Sequence, residues 1–411
     1  MLAGVRGLTR RFVVDRTTAG RVRSRVGAKT MTARLVTLFA LALVAVPARA
    51  HHRQTPPIVQ ITTTGDAFLP RVPAFRGRLV LALGAPGRRQ IFRRERDGVT
   101  LTPLTVQGDN ENPSVSATGR ITAWDSDGDL LGAGDPGRQV YVLTASTLSR
   151  PAHDPTGTSV TPALDARGQH LAFVSRGDLA GTGNAGALQV FVHGLSGVVE
   201  QVSRGDGTSE DPVYDKRGQT LVFDSTSDPV TGVDTGIAQV WVAAGGTPAV
   251  RLTDGQGASR RAAISSRGRF VAFESTADLA GGGLETGVSQ VFACDRLSGN
   301  FARVTNEPGG CRGVSVDETP GDWRVVYVCG GQGFLHFLRT DRRLRLPIDA
   351  GTTAQAVAEL GNFFVAVSTT ADLINGGVAS GYRIFQLNLF KLAAVPVGGA
   401  AVWFPDPAFR P

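Results

Sequence analysis

Catalytic or metal chemistry needs acids, bases, nucleophiles or ligands that recur at a usable spacing, and this sequence offers few. His153, His170, His193 and His336 are scattered without H-x-H or H-x-x-x-H spacing, so they outline neither a metal site nor a shared base. His51 and His52 would sit beside a free amino group if the chain were cleaved after Ala50, a style of copper chelate. No third nitrogen ligand is identifiable, and the pair reads as a polar terminus. No G-x-S-x-G elbow marks a nucleophile. Cys294, Cys311 and Cys329 match no zinc spacing and are too few for a disulfide framework. An oxidising compartment would make one disulfide of them and leave one thiol. Because Cys311 precedes an inner strand and Cys329 ends the next, that pair is favoured over any with Cys294.

Two polar series are more regular. An aspartate follows an aromatic by five or six residues at Asp129, Asp178, Asp228, Asp278 and Asp372. Such loops suit calcium when several carboxylates follow, since the ion takes six or more oxygens. Here the later positions read Asp135, Asn184 and Asp234, then Leu284 or Glu285, and Gln replaces the final acid. The expected role is an Asx-turn that fixes the loop, with no metal and no cofactor. The second series varies from copy to copy: Asn110, Glu111, Asn112, Ser159, Thr161, Glu210, Asp211, Arg260, Arg261 and Arg312. Gathered on one rim, these residues would make a mixed-charge contact surface for a peptide, a glycan or a protein loop. The plainer alternative is a set of solvated turn residues.

The elements that would position them repeat about every 50 residues, a period suited to propeller blades. Three copies are clear, starting at Thr161, Asp211 and Arg261. Each has an inner strand, a turn ending in Gly (Gly168, Gly218, Gly268) and a strand with an aromatic (Phe173, Phe223, Phe273). A longer loop, a strand opening with Gln-Val-aromatic and a closing strand follow. Weaker copies upstream and downstream give the marker aromatics Phe92, Tyr141, Phe191, Trp241, Phe292, Phe337 and Phe385. Strands such as Leu171-Ala172-Phe173-Val174 are apolar on both faces, so one sheet alone would leave a face in water, whereas stacking blades in a ring buries both.

The fold expected is therefore all-β, a seven-bladed β-propeller. Six blades is the alternative, should the degenerate unit at 312–349 be an elaborated connection; its Tyr327 and Phe337 keep the period. The last copy lacks a fourth strand after Leu389, while Ile58-Val59-Gln60-Ile61-Thr62 precedes the first copy, so the amino-terminal strand is expected to complete the last blade.

Pro162-x-x-Asp165-x-x-Gly168 and Pro212-x-x-Asp215-x-x-Gly218, with the later Gln-Val-aromatic, resemble the repeats of the TolB-type, WD-repeat-like β-propeller family. The resemblance covers nearly all of residues 58–396. It implies the fold and leaves function open, because such repeats serve unrelated tasks. The α/β domain that precedes the propeller in TolB has no counterpart here.

Residues 31–50 carry Arg34, an apolar run from Leu35 to Val46 and then Ala48-x-Ala50, the layout of a signal peptide. Residues 1–30 are expected to be an upstream extension or a wrongly chosen start, with a twin-arginine signal at Arg10-Arg11 as the alternative. The propeller then occupies 51–396 and a tail 397–411. The first 50 residues hold ten Lys and Arg and one acid, so the formal charge of +8 falls to −1 for the remainder. A near-neutral body removes the electrostatic case for nucleic acid, and no later run approaches the roughly 20 apolar residues of a membrane span. The expectation is a periplasmic or secreted binding module, without catalysis, for a protein or peptide. The rival is a carbohydrate-binding or carbohydrate-active propeller using Glu111, Glu210 and Asp211, against which stands the scarcity of aromatic platforms in the mouth loops.

Overall fold

Apolar side chains on both faces of the central strands demand two covering layers per sheet, and the architecture supplies them. The computed structural model describes residues 58–62, 67–68, 79–95 and 100–388, apart from 185, 195–196, 282–286, 320–321, 348–353, 362–363, 372 and 374–377. The expected signal peptide and upstream extension, His51, His52, Leu284, Glu285, Asp372 and the tail lie outside the described residues. Every helix-or-strand element described is a strand, and the strands form seven four-stranded antiparallel sheets. They span 67–103, 110–149, 160–201, 209–251, 259–303 and 311–345, with the seventh at 354–388. These are blades 1 to 7 of a β-propeller. The unit at 311–345 is a full blade, which sets aside the six-bladed alternative. No described helix is long and apolar enough to cross a membrane.

The buried apolar residues fall into seven clusters among the described residues, each drawing on two neighbouring blades. Seven interfaces for seven blades is the count of a closed ring. Phe223 and Trp241 of blade 4, directly opposite one another, pack on Ala172, Val174 and Val190 of blade 3. Phe273 and Phe292 of blade 5 pack likewise on Val222 and Val240 of blade 4.

The ring closes through its amino terminus. Ile58, Val59 and Gln60 pair antiparallel with Leu387, Gln386 and Phe385, completing blade 7. Thr62 Oγ1 then accepts the Ile384 N–H at 2.9 Å. Thr105, Ser203, Thr253 and Thr305 do the same for Ile91, Val190, Val240 and Val291 in blades 1, 3, 4 and 5. The latch thus reproduces the outer strand of an ordinary blade. Arg94 of blade 1 also donates to the Gln386 side chain of blade 7.

Blade 6 corrects one expectation. The marker aromatic is Phe334, which faces Tyr327 across the strands with ring centroids 5.7 Å apart, while Phe337 lies opposite Arg324. The second and third strands are joined by a tight hairpin through Gly330 and Gly331, both at positive φ as a type I′ turn requires. The long loop of the other blades is absent there, so the third strand starts early, at Gln332-Gly333-Phe334. In the same blade Cys311 and Cys329 are directly opposite and joined by a disulfide, and Cys294 is a buried free thiol.

Truncating Phe223 to Ala should cost about 3–5 kcal/mol in urea unfolding, with blades 3 and 4 lost together because the ring is one interface with both. Burial pushes the Cys294 thiol up to about 11. Iodoacetamide at pH 8 should therefore leave Cys294 unlabelled in the folded chain and label it in denaturant, read by intact-mass spectrometry.

Candidate binding rim

The start of each inner strand, the end of the second strand and the long loop after it share one end of the blade, which builds a rim around the channel. In blades 1 to 5 its floor is set by the glutamine of the Gln-Val-aromatic or Gln-Ile-aromatic run in the third strand. Gln189 Nε2 donates to Gly205 O and Gly207 O at 2.8 and 2.9 Å, and its Oε1 accepts the Ser203 hydroxyl. Gln239 and Gln290 act alike through Gly255 O, Thr253, Glu307 O and Thr305. A carboxylate there could accept but not donate, which explains why Gln occupies the position where a calcium loop would carry an acid. The loop aspartates accept backbone N–H groups of their own loops, but only Asp228 does so as an Asx-turn, through Val230 two residues on, with Thr231 beside it; Asp129 reaches Ala133 and Gly134, and Asp178 reaches Thr182 and Gly183, four and five residues on. The Gly134 N–H holds the Asp129 carboxyl below the usual range, and the Thr231 N–H does so for Asp228.

Above this floor the inner strands share a distortion. Pairing slips at Glu111/Ser114, Val160/Ala163, Glu210/Val213, Arg260/Ala263 and Arg312/Ser315, one β-bulge in each of blades 2 to 6. Inside each bulge one residue has positive φ: Asn112 (47°), Thr161 (49°), Asp211 (56°), Arg261 (52°) and Gly313 (68°). For the four non-glycines that backbone costs on the order of 1 kcal/mol each. Acids from the preceding blade hold it in place. Thr161 N–H donates to Asp125 at 2.9 Å, Arg261 N–H to Asp224 at 3.1 Å and Gly313 N–H to Glu274 at 2.7 Å. Where Asp211 follows blade 3, the matching residue is Val174, yet the conformation is kept.

The charges gather in two groups. In blades 1 and 2, Arg138 binds Asp125 at 2.6 Å, Asp109 at 3.1 Å and Glu111 at 3.1 Å, Arg89 also pairs with Glu111, and Asn112 Nδ2 donates to Asp125 at 2.8 Å. Burial raises the Asp125 pKa, against the lowering effect of Asn112 and Arg138. In blades 4 to 6, Arg260 lies 3.8 Å from Glu210 and 3.9 Å from Asp224, and Arg261 binds Glu274 at 3.1 Å. The Glu274 charge holds the Arg261 guanidinium above its ordinary pKa. Arg312 is exposed and has no side-chain partner among the described residues.

Of the expected rim residues, Asn110 and Ser159 are buried inside the wall. Asn110 donates to the carbonyls of Arg89, Gln107 and Gly108, and Ser159 to Asp154. The presented set is Glu111, Asn112, Thr161, Glu210, Asp211, Arg260, Arg261 and Arg312. Glu111 and Glu210, carboxylates of the carbohydrate-enzyme reading, belong to different groups and each faces arginine. Sequence reasoning missed Arg89, Arg138, Asp125, Asp224 and Glu274. The acids had a legible signal, a carboxylate directly after the strand aromatic in Trp124-Asp125, Phe223-Asp224 and Phe273-Glu274, where an alternating apolar strand has no use for one.

No protein-family model matches the sequence, and a comparison with curated proteins finds no match. Solved propellers do resemble it. Oligogalacturonate lyase from Vibrio parahaemolyticus superposes with a TM-score of 0.55 and 10% identity, over 80% of this chain and 93% of that one. The β-propeller domain of the Trilobed protease from Pyrococcus furiosus gives 0.53 and 10%, over 79% and 95%. That domain has an open velcro topology, whereas here Ile58–Gln60 completes the last blade. TolB from Acinetobacter baumannii is at 0.45 and 19%, over 67% of this chain and 64% of TolB. At these identities the likeness is one of fold.

Replacing Gln189 by Glu should destabilise the chain by about 2–3 kcal/mol, because two loop carbonyls lose their donor and face a carboxylate. Thermal unfolding followed by circular dichroism checks it, with Gln169→Glu in the exposed turn of the same blade as the control.

Proposed function

We propose that the chain is a non-catalytic binding module that holds a protein or peptide on the rim formed by blades 2 to 6, and that it acts outside the cytoplasm. The observation that carries this reading is the bulge position. Five successive blades keep one backbone conformation there while the side chain changes from Asn to Thr, Asp, Arg and Gly. Constant geometry with variable chemistry suits recognition, and backbone strain is retained where a function uses it. The carboxylates nearby are taken up by arginines and backbone amides, which favours a scaffold over an acid–base pair. On the opposite face Lys216 of blade 4 reaches past Ser266 of blade 5 to Asp317 of blade 6 at 3.1 Å, tying three blades together at the other mouth. The residues 31–50 support export.

Partner capture by the purified chain from its own extracellular fraction tests the proposal. Arg260→Ala combined with Arg312→Ala should reduce capture at least about tenfold, the 1.4 kcal/mol expected of losing two rim contacts, with an unchanged melting temperature. Undiminished capture would remove the rim from consideration, and selective binding on a glycan array would count against a polypeptide partner.

A further inference from the structure

The end of the ring opposite the rim has a chemistry of its own. There the first and second strands of blades 3 to 5 are joined by tight turns, closed by Gly168 N–H to Asp165 O, Gly218 N–H to Asp215 O and Gly268 N–H to Ser265 O at 3.0, 3.1 and 2.9 Å. The third residue of each turn is an arginine: Arg167, Arg217 and Arg267. A side chain in place of Gly218 would run into Asp165 and His170, and one in place of Gly268 into Asp215 and Thr220, so neighbouring turns touch. The turn acids face inward, where Asp165 and Asp215 are buried and accept the Gln169 and Gln219 N–H groups. The arginines are exposed. Arg167 and Arg217 have no side-chain partner among the described residues, and Arg267 meets Glu318 at 3.9 Å. Among the described residues of blades 2 to 5, Glu200 is the one exposed acid at this end, whereas Asp127, Asp178, Asp206 and Asp234 are exposed at the rim end. Further from the channel, the turns between third and fourth strands hold Val198 in blade 3, 57% exposed, and Leu297 in blade 5, 78% exposed.

We infer that this end is a docking surface for an anionic lipid bilayer, with the three guanidinium groups over the headgroups and Val198 and Leu297 at the boundary between headgroups and acyl chains. An arginine close to an anionic leaflet strengthens binding by about fivefold, and burial of apolar tips adds to it. A bilayer spreads negative charge over a plane, which suits arginines carried by three successive blades. It also gives the exposed apolar tips a place out of water, which a strongly acidic polypeptide would not. The near-neutral net charge does not oppose this, because at physiological salt charges separated by more than about 8 Å are largely screened and each end of the ring acts for itself. Docked in this way, the ring presents its rim away from the bilayer, and the inference stands apart from the polypeptide reading of that rim.

The test places an environment-sensitive nitrobenzoxadiazole label on Leu297→Cys in the full chain, with Cys294 left unlabelled because it is buried. Vesicles of phosphatidylcholine with about 30% phosphatidylglycerol should shift the emission to the blue in a saturable way at low salt. The shift should be absent with pure phosphatidylcholine and lost at about 1 M salt. Arg167→Gln, Arg217→Gln and Arg267→Gln together should raise the lipid concentration at half-saturation on the order of a hundredfold, with an unchanged melting temperature. The same label on Leu131→Cys, in the long loop of blade 2 at the rim end, should stay silent. Attraction of the basic amino-terminal residues to lipid cannot create a difference between the two labels. A Leu297 label that ignores the anionic vesicles, that responds equally to pure phosphatidylcholine or in the triple variant, or that is matched by the Leu131 label would overturn the inference. A response to poly-glutamate without one to vesicles would assign the arginines to an acidic polypeptide and overturn it as well.

Discussion

Each blade depends on its neighbours to cover the face it cannot cover itself. Phe223 and Trp241 have no apolar partner on their own far side until blade 3 supplies one, and the same holds for Phe273 and Phe292 against blade 4. No blade is therefore a folding unit in isolation, and the first and last blades would each expose a face if the ring stayed open. The strand Ile58–Gln60 removes that exposure by joining the last blade from the first end of the chain. Thr62 then performs the capping done elsewhere by a Ser or Thr on the same blade. Closure converts a linear repeat into a rigid circle.

That rigidity allows the rim to hold backbone strain. A positive-φ arginine or threonine in a free loop would relax, but here its N–H is fixed by a buried acid from the neighbouring blade. The acids also pair with rim arginines, so Asp125 and Glu274 join two tasks, backbone positioning and charge pairing. The acids that pin the bulges, Asp125, Asp224 and Glu274, are thus committed to the wall. What the rim leaves to a ligand is its variable side chains, with Arg312 the least committed among them.

The internal copies act as controls for one another. The same loop is tied down by Asp135 with Tyr141 in blade 2 and by Asn184 in blade 3, whereas Asp234 of blade 4 is exposed and accepts the Gly236 N–H. Blade 6 departs in the other direction, replacing the loop with a Gly330-Gly331 hairpin and a disulfide between the strands. Such departures from a repeat are where function can differ between blades, because the repeat itself is accounted for by building the ring.

The sequence by itself determined the ring, its latch and its period, since apolar alternation, turn glycines and the Gln-Val-aromatic signature are local and recur every blade. It also marked most of the presented rim, as the residues that vary within the repeat. The tertiary structure decided what those residues touch. Asn110 and Ser159 look like their exposed neighbours in sequence but turn into the wall, where the carbonyls of Arg89, Gln107 and Gly108 and the Asp154 carboxylate take their polar groups. The role of Asp125, Asp224 and Glu274 is set across a blade boundary, thirty-six to thirty-nine residues away in the chain. No local pattern carries that distance; it exists only once neighbouring blades are packed face to face.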